Sequence, residues 1–195
     1  MNTVEPIRDI ELVNDIADYL IARNERDYVM FVFGIYSGLR ISDILKLRVR
    51  DVKDKEYIYL REEKTNKEKR FVIHEDLREV IKEYIKDKED YEYLFKSRKG
   101  LNSPITREHA YRILNNAAKA FGLESIGTHT MRKTFGYFLY QETKDAVAIK
   151  EILNHSDISI TLRYIGVNQD RKDKVVKKLN LINRKRKWFY IINSM

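Results

Sequence analysis

Leu153-Asn154-His155-Ser156-Asp157-Ile158-Ser159-Ile160-Thr161-Leu162-Arg163-Tyr164 is the stretch from which the rest of the chain is best read. Asp157 to Tyr164 reads as a short helix, and Ala146 to Leu153 as another just before it. A histidine stands in the break between them and a tyrosine closes the second. Alone, either is a core or surface residue by default, as most of the other tyrosines among the 13 must be.

Working back along the chain, helical patterns dominate. His129 to Gln141 reads as a helix opened by Thr128-His129-Thr130-Met131-Arg132, and the i, i+3 spacing places His129 and Arg132 on one face. Thr106 can cap a helix with apolar positions Ala110, Ile113, Leu114, Ala117, Ala118 and Phe121, stopped by Gly122. Ser97 to Pro104 is loop by composition. Asp76 to Lys86 is amphipathic. Glu56 to Arg61 and Lys69 to Ile73 read as the strands of a hairpin, with the charged Glu62 to Glu68 as its turn. Tyr28 to Tyr36 is nearly all apolar and predicts a buried helix ending at Ser37-Gly38, followed by a helix from about Ser42 to Leu47. Val13, Ile16, Ala17 and Leu20 predict the first helix, with Asp9 as its N-cap. A last helix is expected over Asp170 to Leu181. The expected fold is mainly α with a small antiparallel β-sheet (α+β).

Composition narrows the function. The 195 residues contain no cysteine, which excludes disulfides and thiolate metal sites. His74, His109, His129 and His155 lack ligand spacing, so no metal and no cofactor are expected. No apolar run approaches the roughly 20 residues that cross a bilayer, and Met1 to Asp15 has no signal-peptide pattern. The protein is expected to be cytoplasmic, with no membrane partner. The net charge of +8 sits in one place. Arg171 to Lys187 holds nine basic residues and one acidic residue, and the rest of the chain is balanced. A neutral body with a basic end suggests an anionic partner.

Breaking and rejoining a phosphodiester without a metal requires a nucleophile, at least two fixed cations and an acid for the leaving oxygen. Arginine suits the clamp because its planar fork binds phosphate oxygens bidentately and stays charged. Ser37-Gly38-Leu39-Arg40-Ile41-Ser42-Asp43 places Arg40 after a glycine turn at a helix start, with Asp43 one turn on. Lys64 and Lys67 lie in the hairpin turn.

Taken together, these residues resemble the tyrosine recombinase (phage integrase) family. Leu153 to Tyr164 is similar to its nucleophile region, Leu-Gly-His with a Tyr nine residues after the His. Ser37 to Asp43 resembles its first-arginine motif, His129 and Arg132 its His-x-x-Arg, and Lys64 its β-turn lysine. The resemblance spans Arg40 to Tyr164 in order. It implies a catalytic set of Tyr164, Arg40, Lys64, His129, Arg132 and His155. Tyr164 would attack the scissile phosphate to give a 3′-phosphotyrosine, while Arg40, Arg132 and His155 would hold the non-bridging oxygens. Lys64 would protonate the leaving 5′ oxygen, with Lys67 as its substitute if the turn register differs and otherwise as a DNA contact. His129 would be the acid/base partner of the tyrosine, and Asp43 a supporting carboxylate. Arg107, at the start of the helix after the Pro loop, would contact DNA.

The implied function is site-specific DNA recombination (integration, excision, resolution or inversion) on a mobile element. The alternatives are a DNA-binding regulator with the same fold or a type IB topoisomerase-like relaxation activity. The implied partners are double-stranded DNA, further copies of the chain in a tetramer assembled on it, and an accessory DNA-bending protein. Three departures stand out: Asn154 replaces the usual Gly, fewer than 40 residues precede Arg40, and an apolar Trp188 to Ile192 follows the basic run. The domain expectation is therefore a catalytic domain over 1–182 and a basic, apolar tail over 183–195, with no separate N-terminal DNA-clamping domain.

Overall fold

The computed structural model describes residues 4–63, 68–124 and 126–179. Within them, α1 (Ile10–Ile21), α2 (Glu25–Ser37) and α3 (Ile41–Ile44) lead into a 3-10 turn at Val49–Asp51. The antiparallel hairpin β1 (Tyr57–Arg61) and β2 (Glu68–Val72) follows, then α4 (Glu75–Ile85), α5 (Arg107–Ala120) and α6 (Thr128–Thr143). The chain continues through α7 (Ala146–Ile152), α8 (Ile158–Tyr164) and α9 (Val167–Lys177). The fold is mainly helical with one small two-stranded sheet. Among the described residues no helix is long and apolar enough to cross a membrane.

Helix α2 is the hub, because its sequence is apolar on nearly every side. Val29 through Gly34 are all buried, and α1, α4, α5 and α6 pack around them. The surrounding helices bury one stripe each: Val13, Ile16 and Leu20 on α1, Leu77, Ile81 and Ile85 on α4, Ala110, Leu114 and Ala117 on α5. Their starts follow local capping chemistry. Asp9 accepts from the Glu11 amide at 2.9 Å and Thr106 from the His109 amide at 3.1 Å. Gly38 ends α2 with a φ of +58°, and a Cβ there would lie 2.3 Å from the Phe135 ring, so glycine is required twice over.

A second, smaller cluster carries the C-terminal half. Ile149, Leu153 and Ile165 are buried together against α6, separate from the main core. Gly136 permits the approach, since a Cβ on it would sit 2.6 Å from Ile165. Asn154 has a φ of +51° and ends α7 in the left-handed region. Its amide donates to Glu151 O and the His155 amide to Lys150 O, so the turn before His155 is a Schellman cap with Asn in the usual place of Gly.

Several expectations need correction. Helix α3 is one turn, ending at Ile44 rather than near Leu47, and the chain then makes the Val49–Asp51 turn and an isolated bridge from Arg48 to Tyr93. Helix α9 starts at Val167, three residues before the expected Asp170. Glu62 to Glu68 is not uniformly a solvated turn: Glu62 is 1% exposed and Glu68 opens β2. The turn residues Lys64 and Lys67, and the tail expectations for Arg184 to Lys187 and Trp188 to Ile192, lie outside the described residues.

Candidate active site

The fold brings four elements to one cavity of about 390 Å³, lined by Arg40, Ile41, Ser42, Glu63, Arg107, Thr128, His129 and Arg132. Arg40 stands at the N-cap position of α3, where the extended backbone turns it toward this space. His129 and Arg132 come from the first turn and a half of α6, and Arg107 is the first residue of α5. Three arginines and a histidine around one opening attract an anion and hold it by fork-like donors.

Arg132 is the buried anchor, 2% exposed. One terminal nitrogen donates to Gly38 O and the other to Leu153 O. The guanidinium thus ties the turn after α2 to the end of α7 and cannot rotate away. Two of its five donors are used this way, leaving the others for the cavity and Tyr164. Arg40 lies 2.8 Å from the Glu62 carboxylate, and its side chain is 14% exposed. Asp43 accepts from the Glu63 amide at 3.0 Å, fastening the hairpin end to α3.

Tyr164 ends α8 beside this cluster. Its hydroxyl is 3.5 Å from His129 Nδ1, a distance at which a hydrogen bond is only beginning to form. Its ring meets the His155 ring edge-on at 4.9 Å, and the Lys133 ammonium lies 5.0 Å from its centroid. Burial raises the phenol pKa above its ordinary value, while the Arg132 guanidinium, which also hydrogen-bonds the phenol, and Arg40 oppose that rise. The hydroxyl is therefore protonated at neutral pH and needs a base to become a nucleophile.

His155 is pushed down to about 4, first by burial and then by Arg132, Arg40 and Lys69. It is a neutral imidazole at physiological pH. Because the unfolded chain binds this proton at an ordinary value near 6.5, folding loses stability as pH falls from about 6.5 toward 4. Urea unfolding at pH 7 and pH 4.5 should show a steeper decline in the wild type than in His155→Gln, by close to one bound proton. Equal declines would mean that His155 titrates normally in the folded state.

Two residues of this cluster were missing from the sequence reading. Glu62 joins Arg40, donates nothing, and accepts from Asn154 Nδ2 at 2.9 Å. It therefore links the hairpin, the first arginine and the turn before His155. The start of β2 supplies the second: Lys69 donates to Ile152 O and lies 3.9 Å from Glu62. Burial, then Arg132, brings the Lys69 pKa down to about 8, with Glu62 opposing. A signal existed for both. Alternation along β1 sends Ile58, Leu60 and Glu62 inward, and the register pairs Leu60 with Lys69, so both charged side chains fall on the core face.

Tyr164 is thus half-buried and held against the fixed Arg132, at the rim of a cavity lined by three arginines. The comparisons place the chain in a family. The model of the phage integrase family matches residues 8–171, and the chain belongs to that family. It is 53% identical over 170 residues to the probable integrase/recombinase YoeC of Bacillus subtilis (strain 168), covering 87% of this chain and 93% of that one. It is 29% identical over 174 residues to the type 1 fimbriae regulatory protein FimE of Escherichia coli (strain K12), covering 85% and 87%. Among solved structures, the XerA recombinase superposes with a TM-score of 0.71 at 19% identity, over 89% of this chain and 65% of that one. A lambda integrase dimer bound to a COC′ core site superposes with a TM-score of 0.66 at 17% identity, over 85% and 60%. At these identities the structural likenesses speak for the fold alone, and the chain spans about two thirds of those proteins or less.

Proposed function

We propose that this protein is a site-specific DNA recombinase that cleaves and rejoins duplex DNA through a 3′-phosphotyrosine intermediate. The observation that carries the reading is the contact of Tyr164 with the anchored Arg132, beside a cavity shared by Arg40, His129 and Arg107. A scissile phosphate in that cavity would meet Arg40 and Arg132 through its non-bridging oxygens, with His155 as a third, neutral donor. As the Tyr164 oxygen bonds to phosphorus, its proton passes to His129, which the approach of DNA brings within hydrogen-bond distance. The bond to the 5′ oxygen breaks, and that oxygen takes a proton from a hairpin lysine. Rejoining reverses these steps with a different 5′ hydroxyl. The phosphodiester energy is kept in the tyrosyl ester, so no nucleotide is consumed. The arginines stabilise the transition-state charge by fixed position, which is the largest single contribution such a site makes.

Arg107 at the N-terminus of α5 serves DNA contact, and recombination requires two sites held together by several copies of the chain, as a tetramer in this reading. A plasmid assay tests the whole function. Two sites on one supercoiled plasmid should give exchange products, and one site should give none. Relaxation of a site-free plasmid without exchange would replace this reading with topoisomerase-like activity.

The leaving-group acid is the part with rival candidates: Lys64, its turn neighbour Lys67, and the buried Lys69. A substrate with sulfur in the 5′ bridging position needs no protonation on leaving. It should restore cleavage to Lys64→Ala and fail to restore Lys69→Ala, whose loss instead removes a buried support from Ile152 O and Glu62. Rescue of Lys69→Ala alone would transfer the role to Lys69, and rescue of Lys67→Ala alone would move the assignment three residues along the turn.

A further inference from the structure

We propose that Thr161 is a positioning residue that sets the tautomer of His155, so that Nε2 carries the ring proton and can donate to the bound phosphate. The proposal rests on the phosphoryl-transfer reading of the site and adds a residue to it. Thr161 sits on α8 one turn before Tyr164, with no exposed surface. Its hydroxyl oxygen is 3.0 Å from His155 Nδ1. It is also 3.3 Å from Asp157 O, the carbonyl one turn back.

The single hydroxyl proton has two candidate acceptors, and each choice corresponds to one tautomer of the ring. Donated to Asp157 O at 3.3 Å, it leaves the hydroxyl oxygen to accept from an Nδ1–H. Donated to Nδ1 at 3.0 Å, the shorter of the two contacts, it makes Nδ1 the acceptor. We take the shorter contact, which is also the one that suits a bound phosphate. A neutral imidazole has only one N–H, and burial among Arg132, Arg40 and Lys69 keeps His155 neutral. With Nδ1 accepting, that hydrogen lies on Nε2, on the side of the ring away from Thr161. The opposite arrangement would turn an Nε2 lone pair toward an anionic oxygen, which repels it. Backbone and side chain act together here. The Schellman turn fixes where the ring starts, and the buried hydroxyl fixes which nitrogen donates.

The arrangement also places this control within the nucleophile's own helix. Any shift of α8 that moves Tyr164 moves Thr161 with it, so the donor and the nucleophile are set in register by three residues of one turn.

The test is ring-nitrogen NMR on the full chain labelled with 15N-histidine, with the His155 signals assigned by their loss in His155→Gln. The wild type should show the Nε2–H tautomer at neutral pH. Thr161→Val keeps the shape and removes the hydroxyl; it should shift His155 toward Nδ1–H or a mixture. It should also slow cleavage of a nicked suicide substrate about ten-fold, the size of one neutral hydrogen bond. Thr161→Ser should restore both. An Nδ1–H tautomer in the wild type, or a Thr161→Val protein with tautomer and cleavage unchanged, would overturn the proposal. Should the wild type form no covalent adduct at all, the functional reading of the site fails, and the tautomer measurement in the DNA-free protein still decides the role of Thr161.

Discussion

Tyr164→Phe is expected to abolish covalent attachment to DNA and to leave DNA binding nearly intact. The change removes one oxygen. The ring keeps its edge-on contact with His155 and its place over Lys133, both of which depend on the aromatic body. The hydroxyl gives up its hydrogen bond with Arg132, whose guanidinium stays fixed by Gly38 O and Leu153 O, and an approach of only 3.5 Å to His129. With no oxygen to attack phosphorus, the reaction has no first step, and neighbouring groups cannot compensate. A nicked suicide substrate run on a denaturing gel reads the adduct directly, and a gel-shift titration reads binding. A covalent band persisting in the variant would send the assignment to another tyrosine. Loss of binding together with loss of the band would mean that the hydroxyl holds the site together instead of performing the chemistry.

Arg132→Ala is expected to carry the second largest effect, because on the proposed reading the side chain has a catalytic function beside its structural one. As a transition-state donor its loss should cost about 3–4 kcal/mol, or roughly 10²–10³ in cleavage rate. As a structural tie its loss leaves Gly38 O and Leu153 O without their partner in a buried place, at about 1–3 kcal/mol for each carbonyl left unsatisfied. The variant should therefore be both slower and less stable. Arg132→Lys separates the two, since an ammonium keeps the charge and cannot span both carbonyls with a planar fork. It should regain some stability and little rate. Cleavage rates and urea midpoints on the same preparations decide this. Cleavage by Arg132→Ala within ten-fold of wild type would remove Arg132 from the clamp, whatever the stability showed.

Much of this site was legible in the chain because its parts are local. The His129 and Arg132 spacing requires only a helix, and the helix requires only its own residues. Asp9 and Thr106 announce their helices by side-chain capping, and Gly38 and Gly122 mark stops where a positive φ is needed. What was not legible depends on distant partners. Glu62 looked like one more charge in a polar turn, and only the packing of Arg40 and Asn154, the latter 92 residues away, makes it a buried link. Lys69 reads only as the first residue of a short apolar strand, and its burial depends on α7, which offers the Ile152 carbonyl. Replacement of Gly by Asn before His155 was readable as a local turn adjustment. Its partner across the site, Glu62, was not. The length of α3 was misread because Leu45 and Leu47 continue a helical pattern, yet they are buried by an irregular turn that follows the core instead of a helix axis.

The division of the interior into two clusters has a thermodynamic consequence for how the reaction is timed. Arg40 rises from the main core, a continuous body of some thirty buried side chains. Tyr164 rides on the α7–α8 segment, whose fully buried apolar support among the described residues is three aliphatic side chains, joined by the polar ties to Arg132, Lys69 and Glu62. Each such side chain contributes about 1.5–3 kcal/mol when fully buried, so the segment is held by a small fraction of what holds the clamp. Its opening would be a local event, costing less than unfolding the domain. On the proposed reading, Arg40 would be a standing fixture, while Tyr164 would be supplied by an equilibrium. On the same reading, a methylene gained or lost at Ile149, Leu153 or Ile165 would change how often Tyr164 and His155 are presented together, and leave Arg40 where it was.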